Sequence, residues 1–137
     1  MVGGMGKNFR VPYGLAVHDK KEEERVLKVL QEKRTILGKE TREFEESIAE
    51  IFGNKFGVMV NSGSSANLLA VEILQLPIGS EVITPILTFA TTVTPLLHHG
   101  LIPVFIDVEE GTYVVNVNQI EKSITKKTKA LMIPLLL

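Results

Sequence analysis

Apolar positions recur along this chain in two rhythms, one helical and one continuous. Between Asp19 and about Lys33 the apolar residues Val26, Leu27, Val29 and Leu30 make one stripe. The charge run from Lys20 to Arg25 reads as the solvated side of the same helix. Asp19, with Glu22 three positions on, predicts a capping box at its start. Thr35 to Gly38 breaks the pattern and reads as a loop. Lys39 to Phe52 predicts a second helix, with Phe44, Ile48, Ile51 and Phe52 on one face and Gly53 as its stop. The carboxylates Glu40, Glu43, Glu45, Glu46 and Glu50 fall on its polar side, which makes them a solvated face rather than a catalytic pair.

From Phe56 the rhythm changes. Phe56 to Val60 is a short apolar run of the kind a buried parallel strand shows. Asn61 to Ser65 is small and polar, and Ala66 to Leu74 consists of strong helix formers. Glu81–Ile86, Ile102–Ile106 and Ala130–Leu137 are the next apolar runs. Helical stretches at Phe89–His98 and Val117 to about Ile124 separate them. Asn116 caps the last helix, with Gln119 in the capping-box position. Turns fall at Leu76–Gly79 and Glu110–Thr112. The order βαβαβαβ after two leading helices predicts an α/β fold with a parallel sheet. Met1 to Gly14, rich in glycine, reads as an arm. There Arg10 and Tyr13 face a ligand or neighbouring subunit, or belong to a solvated terminus. The chain closes on Pro134-Leu135-Leu136-Leu137 with no polar ending, so a truncated sequence is expected.

Composition narrows the class. With 137 residues, 45% hydrophobic content and a net charge of −1, the chain supports one modest globular domain. Nothing in it attracts nucleic acid or an acidic membrane in bulk. It has no cysteine, hence no disulfide, no thiolate nucleophile and no thiolate metal site. That fits a cytoplasmic protein. No apolar run is long enough to cross a bilayer.

The chemistry concentrates at Asn61–Ser65. A strand feeding a helix through a Gly/Ser turn leaves unpaired N–H groups at the helix start, where the dipole adds positive charge. The result is a seat for a phosphate or carboxylate, with the Ser64 and Ser65 hydroxyls as further donors. Gly63 provides positive φ or a close approach by a ligand. The other reading is an ordinary Ser cap with no ligand. The glycine spacing excludes a dinucleotide fingerprint, and the lack of a following Gly-Lys-Ser/Thr excludes a Walker loop.

The ordered set of these segments resembles the DegT-type sugar aminotransferase family, fold-type-I enzymes dependent on pyridoxal phosphate (PLP). The pieces are Asn61-Ser62-Gly63-Ser64-Ser65-Ala66-Asn67-Leu68-Leu69-Ala70, Phe44-Glu45 with Phe52-Gly53, Gly79 to Pro85, Thr88-Phe89-Ala90-Thr91, and Pro103 to Val108. Thr112-Tyr113, Ile120-Glu121 and Thr128-Lys129-Ala130 continue them. The Ser-Ser-Ala-Asn-Leu-Leu form is most similar to the CDP-4-keto-6-deoxyglucose 3-dehydratases of lipopolysaccharide deoxysugar synthesis.

The resemblance implies the N-terminal part of an aspartate aminotransferase-like large domain, incomplete over 19–137 behind an arm at 1–18. It implies PLP or pyridoxamine phosphate as cofactor, a nucleotide-linked keto-sugar as substrate, and a homodimer. Gly63, Ser64 and Ser65 would hold the cofactor phosphate, and Phe89 would lie against the pyridine ring. Without the motif, Phe89 reads as a core residue at a helix start. Thr91 and Thr92 are helix-start hydroxyls, and Tyr13 and the Gly38 loop would face the sugar nucleotide. The family's pyridine-nitrogen Asp, its Schiff-base Lys or His, and the dehydratases' cysteine-bound iron–sulfur cluster match nothing here. No catalytic residue and no metal ligand is therefore assigned, His98 and His99 included. Three functions stand side by side: a 4-keto-6-deoxyhexose 3-dehydratase fragment, a sugar aminotransferase fragment, and a non-catalytic phosphate-binding or subunit-pairing piece.

Overall fold

The structure is a computed structural model that describes residue 14 and residues 16–135. Arg10, Tyr13, Leu136 and Leu137 lie outside the described residues. The chain divides into two compact units, one up to Val58 and one from Met59.

The first unit holds α1 (Lys20–Gln31) and α2 (Lys39–Ile51). The Asp19–Glu22 capping box is formed in both directions. α1 stops before the expected Lys33, which takes a left-handed φ of 54° in the turn. Gly53 ends α2 at φ 64°, the conformation a C′ glycine supplies. Arg25 of α1 is paired with Glu40 and Glu43 of α2. The apolar faces are present but uncovered within the unit. α1 buries no residue and α2 buries only Ala49, while Phe44, Ile51 and Phe52 are exposed.

The second unit holds α3 (Gly63–Leu74), β1 (Glu81–Pro85), α4 (Ala90–His98), β2 (Ile102–Ile106), α5 (Val117–Ser123) and β3 (Thr128–Leu131). The three strands form one parallel sheet in the order β2-β1-β3. β1 is therefore central, and its successive residues face opposite sides. Val82 packs with Val71, Leu96 and Leu101, whereas Ile83 packs with Ile106 and Val115. The first cluster seats α3 and α4 on one face of the sheet.

Three expectations are corrected. Phe56–Val60 is not a strand, and Phe56 and Val58 are exposed. Both sides of β1 are taken by β2 and β3, and no described strand pairs with this segment. The last strand ends at Leu131 rather than Leu137. Its final bond to β1 runs from the Met132 amide to the Ile83 carbonyl, at 2.9 Å. Two residues on, the ladder would need N–H groups from Pro85 and Pro134, and neither has one. Gln119 does not complete a capping box, because its Oε1 accepts from the Asp107 amide instead. The Asn116 side chain accepts from the Asn118 amide.

Candidate anion seat at the carboxyl edge of the sheet

The seat follows from how α3 and α4 run. α4 begins just after the carboxyl end of β1 and returns along the sheet to β2. α3 lies alongside α4 in the same direction. Near their starts, the Asn67 side chain donates to the Thr91 carbonyl at 3.1 Å. Near their ends, Glu72 meets His99. Both helix N-termini therefore stand together at the carboxyl edge, where open α/β sheets bind ligands.

At the start of α3, Ser62 is the N-cap, and its hydroxyl accepts from the Ser65 amide at 3.2 Å. The Ala66 amide reaches the Ser62 carbonyl at 3.0 Å. Gly63 and Ser64 are left as the first two helical residues, whose amides have no partner within a helix. Both residues are exposed. Gly63 has helical rather than positive φ, so of its two expected uses only close approach remains. A Cβ built there meets nothing within 4 Å, so the corner is open. The two serine hydroxyls differ. That of Ser65 donates to Asn61 Oδ1 at 2.6 Å, while that of Ser64 is in no hydrogen bond among the described residues.

Phe89 is the residue before α4, with extended backbone, and is 72% exposed. It is not a core residue. The Thr92 amide donates to its carbonyl at 2.9 Å, and the Thr88 hydroxyl donates to Thr92 Oγ1 at 2.9 Å. Thr92 is thus a buried structural hydroxyl. Thr91, Thr94, Pro95 and His98 of α4 line a shallow groove of about 190 Å³ with Ser64, Ser65 and Leu68 of α3. In the other unit, Gly38 is the N-cap of α2 without a side-chain bond, and lines a separate groove with Arg34, Lys39 and Arg42.

His99 closes the far end of the helix pair. Its Nδ1 lies 2.7 Å from the Pro95 carbonyl oxygen and its Nε2 meets the Glu72 carboxylate. The carbonyl, then the carboxylate, raise its pKa above the ordinary histidine value. Sequence reading saw neither this contact nor the Asn67–Thr91 bond, since both depend on which helices lie side by side.

A parallel sheet carrying two helix N-termini and an open Gly-Ser corner makes an α/β unit with a candidate anion seat. The profile of the DegT/DnrJ/EryC1/StrS aminotransferase family matches residues 17–135, and the chain belongs to that family. It is 40% identical over 126 residues to the dTDP-4-dehydro-2,6-dideoxy-D-glucose 3-dehydratase of Saccharopolyspora spinosa, covering 86% of this chain and 27% of that protein. It is 38% identical over 105 residues to the UDP-N-acetyl-3-dehydro-alpha-D-glucosamine 3-aminotransferase of Acidithiobacillus ferrooxidans, covering 77% and 28%. The Escherichia coli GDP-4-keto-6-deoxy-D-mannose-3-dehydratase, solved with bound hydrated PLP, superposes with a TM-score of 0.83 at 32% identity. That match covers 89% of this chain and 33% of the other. The chain thus spans a third or less of the length of these relatives. Among the described residues, no helix is long and apolar enough to cross a membrane.

Proposed function

We propose that Gly63, Ser64, Ser65 and Phe89 form the coenzyme-binding corner of a PLP- or pyridoxamine-phosphate-dependent sugar-nucleotide enzyme. The observation that carries this is the open start of α3, with the Gly63 and Ser64 amides unpaired beside a free Ser64 hydroxyl. A phosphate dianion fits such a seat, since it accepts from converging N–H groups and meets the positive end of the helix dipole. Ser65 has a different part. Its amide and hydroxyl are already engaged by Ser62 and Asn61, so it shapes the turn more than it donates. The exposed Phe89 ring offers a flat apolar face to a heteroaromatic ring.

When bound, the coenzyme supplies an electron sink for a carbanion. This chain's own residues bind and orient it, and none of those placed at the corner is a proton carrier. Residues 19–137 belong to the large domain, and the arm expected over residues 1–18 lies mostly outside the described residues. The whole protein is a cytoplasmic homodimer that removes the 3-hydroxyl from a nucleotide-linked 4-keto-6-deoxyhexose. The 38% identity to a sugar 3-aminotransferase supports a second reading, amino transfer to such a keto-sugar.

The test is a titration of the ¹⁵N-labelled chain with PLP, with pyridoxal lacking the phosphate as control. PLP should move the Gly63 and Ser64 amide resonances, and pyridoxal should not. Ser64→Asp, which sets a carboxylate against the phosphate, should abolish the response. Unmoved Gly63 and Ser64 amides at millimolar PLP would reject the assignment.

A further inference from the structure

The observation is a mismatch inside α4. Pro95 lies within the helix, four residues after Thr91. In an α-helix the N–H of residue 95 would donate to the carbonyl of residue 91, and proline has no N–H. The half-buried Thr91 carbonyl is therefore stripped of its helical partner by the sequence of α4 itself. An unpaired carbonyl out of water is costly, so it has to be satisfied from elsewhere. The donor is Asn67 Nδ2 at 3.1 Å, reaching across from the first turns of α3.

We infer that Asn67 is a positioning residue: it supplies the hydrogen bond that Pro95 withholds, and so locks the Phe89 end of α4 to the Gly63–Ser64 seat on α3. The consequence is geometric. Phe89 is fixed to the first turn of α4 by the Thr92 amide and by the Thr88–Thr92 hydroxyl pair. Gly63 and Ser64 are fixed to the first turn of α3 by the Ser62 cap. In a helix with its full set of internal bonds the Thr91 carbonyl would already be satisfied, so a bond across to α3 would not be required and the two turns would be held together less firmly. The proline costs α4 one internal bond and gains a rigid distance between the surface for an aromatic ring and the seat for its phosphate. The Asn67 side chain is bonded to Thr91 and not to Gly63, Ser64 or Phe89. This part of the argument rests on the coenzyme reading above, whereas the exchange of donors at Thr91 does not.

The two are separated by a mutant cycle on the whole chain, comparing wild type, Asn67→Ala, Pro95→Ala and the double variant. Alanine is the better helix former at both positions, so no loss reports propensity, and the packing lost with the buried Pro95 ring is read from the Pro95→Ala single variant and cancels in the cycle. Stability is read from the urea midpoint, and PLP affinity from the Gly63 amide shift. Asn67→Ala alone should lower both, weakening PLP by roughly two- to tenfold, the range of a single hydrogen bond. In the double variant, the backbone N–H restored by Pro95→Ala closes on the Thr91 carbonyl. The urea midpoint should then recover most of the loss, while the weakened PLP affinity persists because nothing spans the helices. A merely structural Asn67 would regain both, and that outcome overturns the positioning role. Additive losses of stability would overturn the exchange of donors at Thr91. If wild type shows no Gly63 or Ser64 response to PLP, the coenzyme reading and the positioning role fall together, and the stability cycle alone decides the lock.

Discussion

Leu30 and Leu96 are the same side chain on two amphipathic helices, and their fates differ. Leu30, on α1 of the first unit, is 56% exposed, whereas Leu96, on α4 of the second, is 1% exposed. The stripe is plainer in the sequence of α1, whereas α4 is rich in threonine. The difference is what each unit offers to cover it. The second unit has a three-stranded sheet with a helix layer on each face of β1, so a stripe there meets Val82 or Ile83. Among the described residues, the first unit has two short helices joined by the ion pairs of Arg25, and no sheet. Periodicity identifies a helix, but burial is a property of its neighbours.

The comparison is sharpened most by truncating the two leucines. Leu96→Ala should cost ~2–5 kcal/mol, the range for a large side chain removed from a filled core. Leu30→Ala should stay within about 0.5 kcal/mol, as for a surface position. Urea unfolding followed by far-ultraviolet circular dichroism measures both. Equal losses would mean that the α1 stripe is covered after all.

A smaller effect separates two glycines. A Cβ built on Gly57 stands 2.4 Å from the Glu45 carbonyl oxygen of α2, which is backbone and cannot rotate away. Gly57→Ala should therefore cost ~1–3 kcal/mol through overpacking. The loss should be local to the first unit. Hydrogen exchange should quicken for α2 amides and stay unchanged for Ile83 and Thr84. Gly63→Ala, with nothing within 4 Å, should leave stability intact. Loss of protection in β1 for Gly57→Ala would show that the units do not respond separately.

These contrasts explain what could be read from sequence. The capping box at Asp19 and Glu22, the stop at Gly53 and the unpaired amides at Gly63 and Ser64 all depend on residues within one turn of each other. Each was legible. The parallel sheet was legible from alternating strand and helix lengths. Phe56–Val60 was misread because a strand requires a neighbour, and composition cannot say whether one stands beside it. The early end of β3 needs the register, since Pro85 and Pro134 matter only once they are known to lie on facing edges. Gln119 accepts from the Asp107 amide, twelve residues away, while the Asn116 amide donates to the Asp107 carbonyl. At the proposed site, the open helix start was visible and the bond from Asn67 to Thr91 was not. Asn67 and Pro95 are 28 positions apart in the sequence, and neither suggests the other until α3 and α4 are side by side.

The smallest expected effect is a dependence on pH, confined to the second unit. Both ring nitrogens of His99 face acceptors, the Pro95 carbonyl from α4 and the Glu72 carboxylate from α3. A neutral imidazole has one N–H and satisfies only one of them, whereas the imidazolium satisfies both. Its pKa is accordingly raised by the Pro95 carbonyl and then by Glu72. A raised folded-state pKa gives stability that is fully present below the unfolded value of about 6.5 and is lost as pH rises through the folded value. Glu72 is largely exposed, so salt should weaken the effect. The urea midpoint of wild type should therefore fall relative to that of His99→Gln as pH is raised above neutrality. Glu72→Gln should move that fall to lower pH, because it removes one of the two groups that hold the proton. Parallel midpoints for wild type and His99→Gln from pH 6 to 9 would show that the clasp between the ends of α3 and α4 carries no charge.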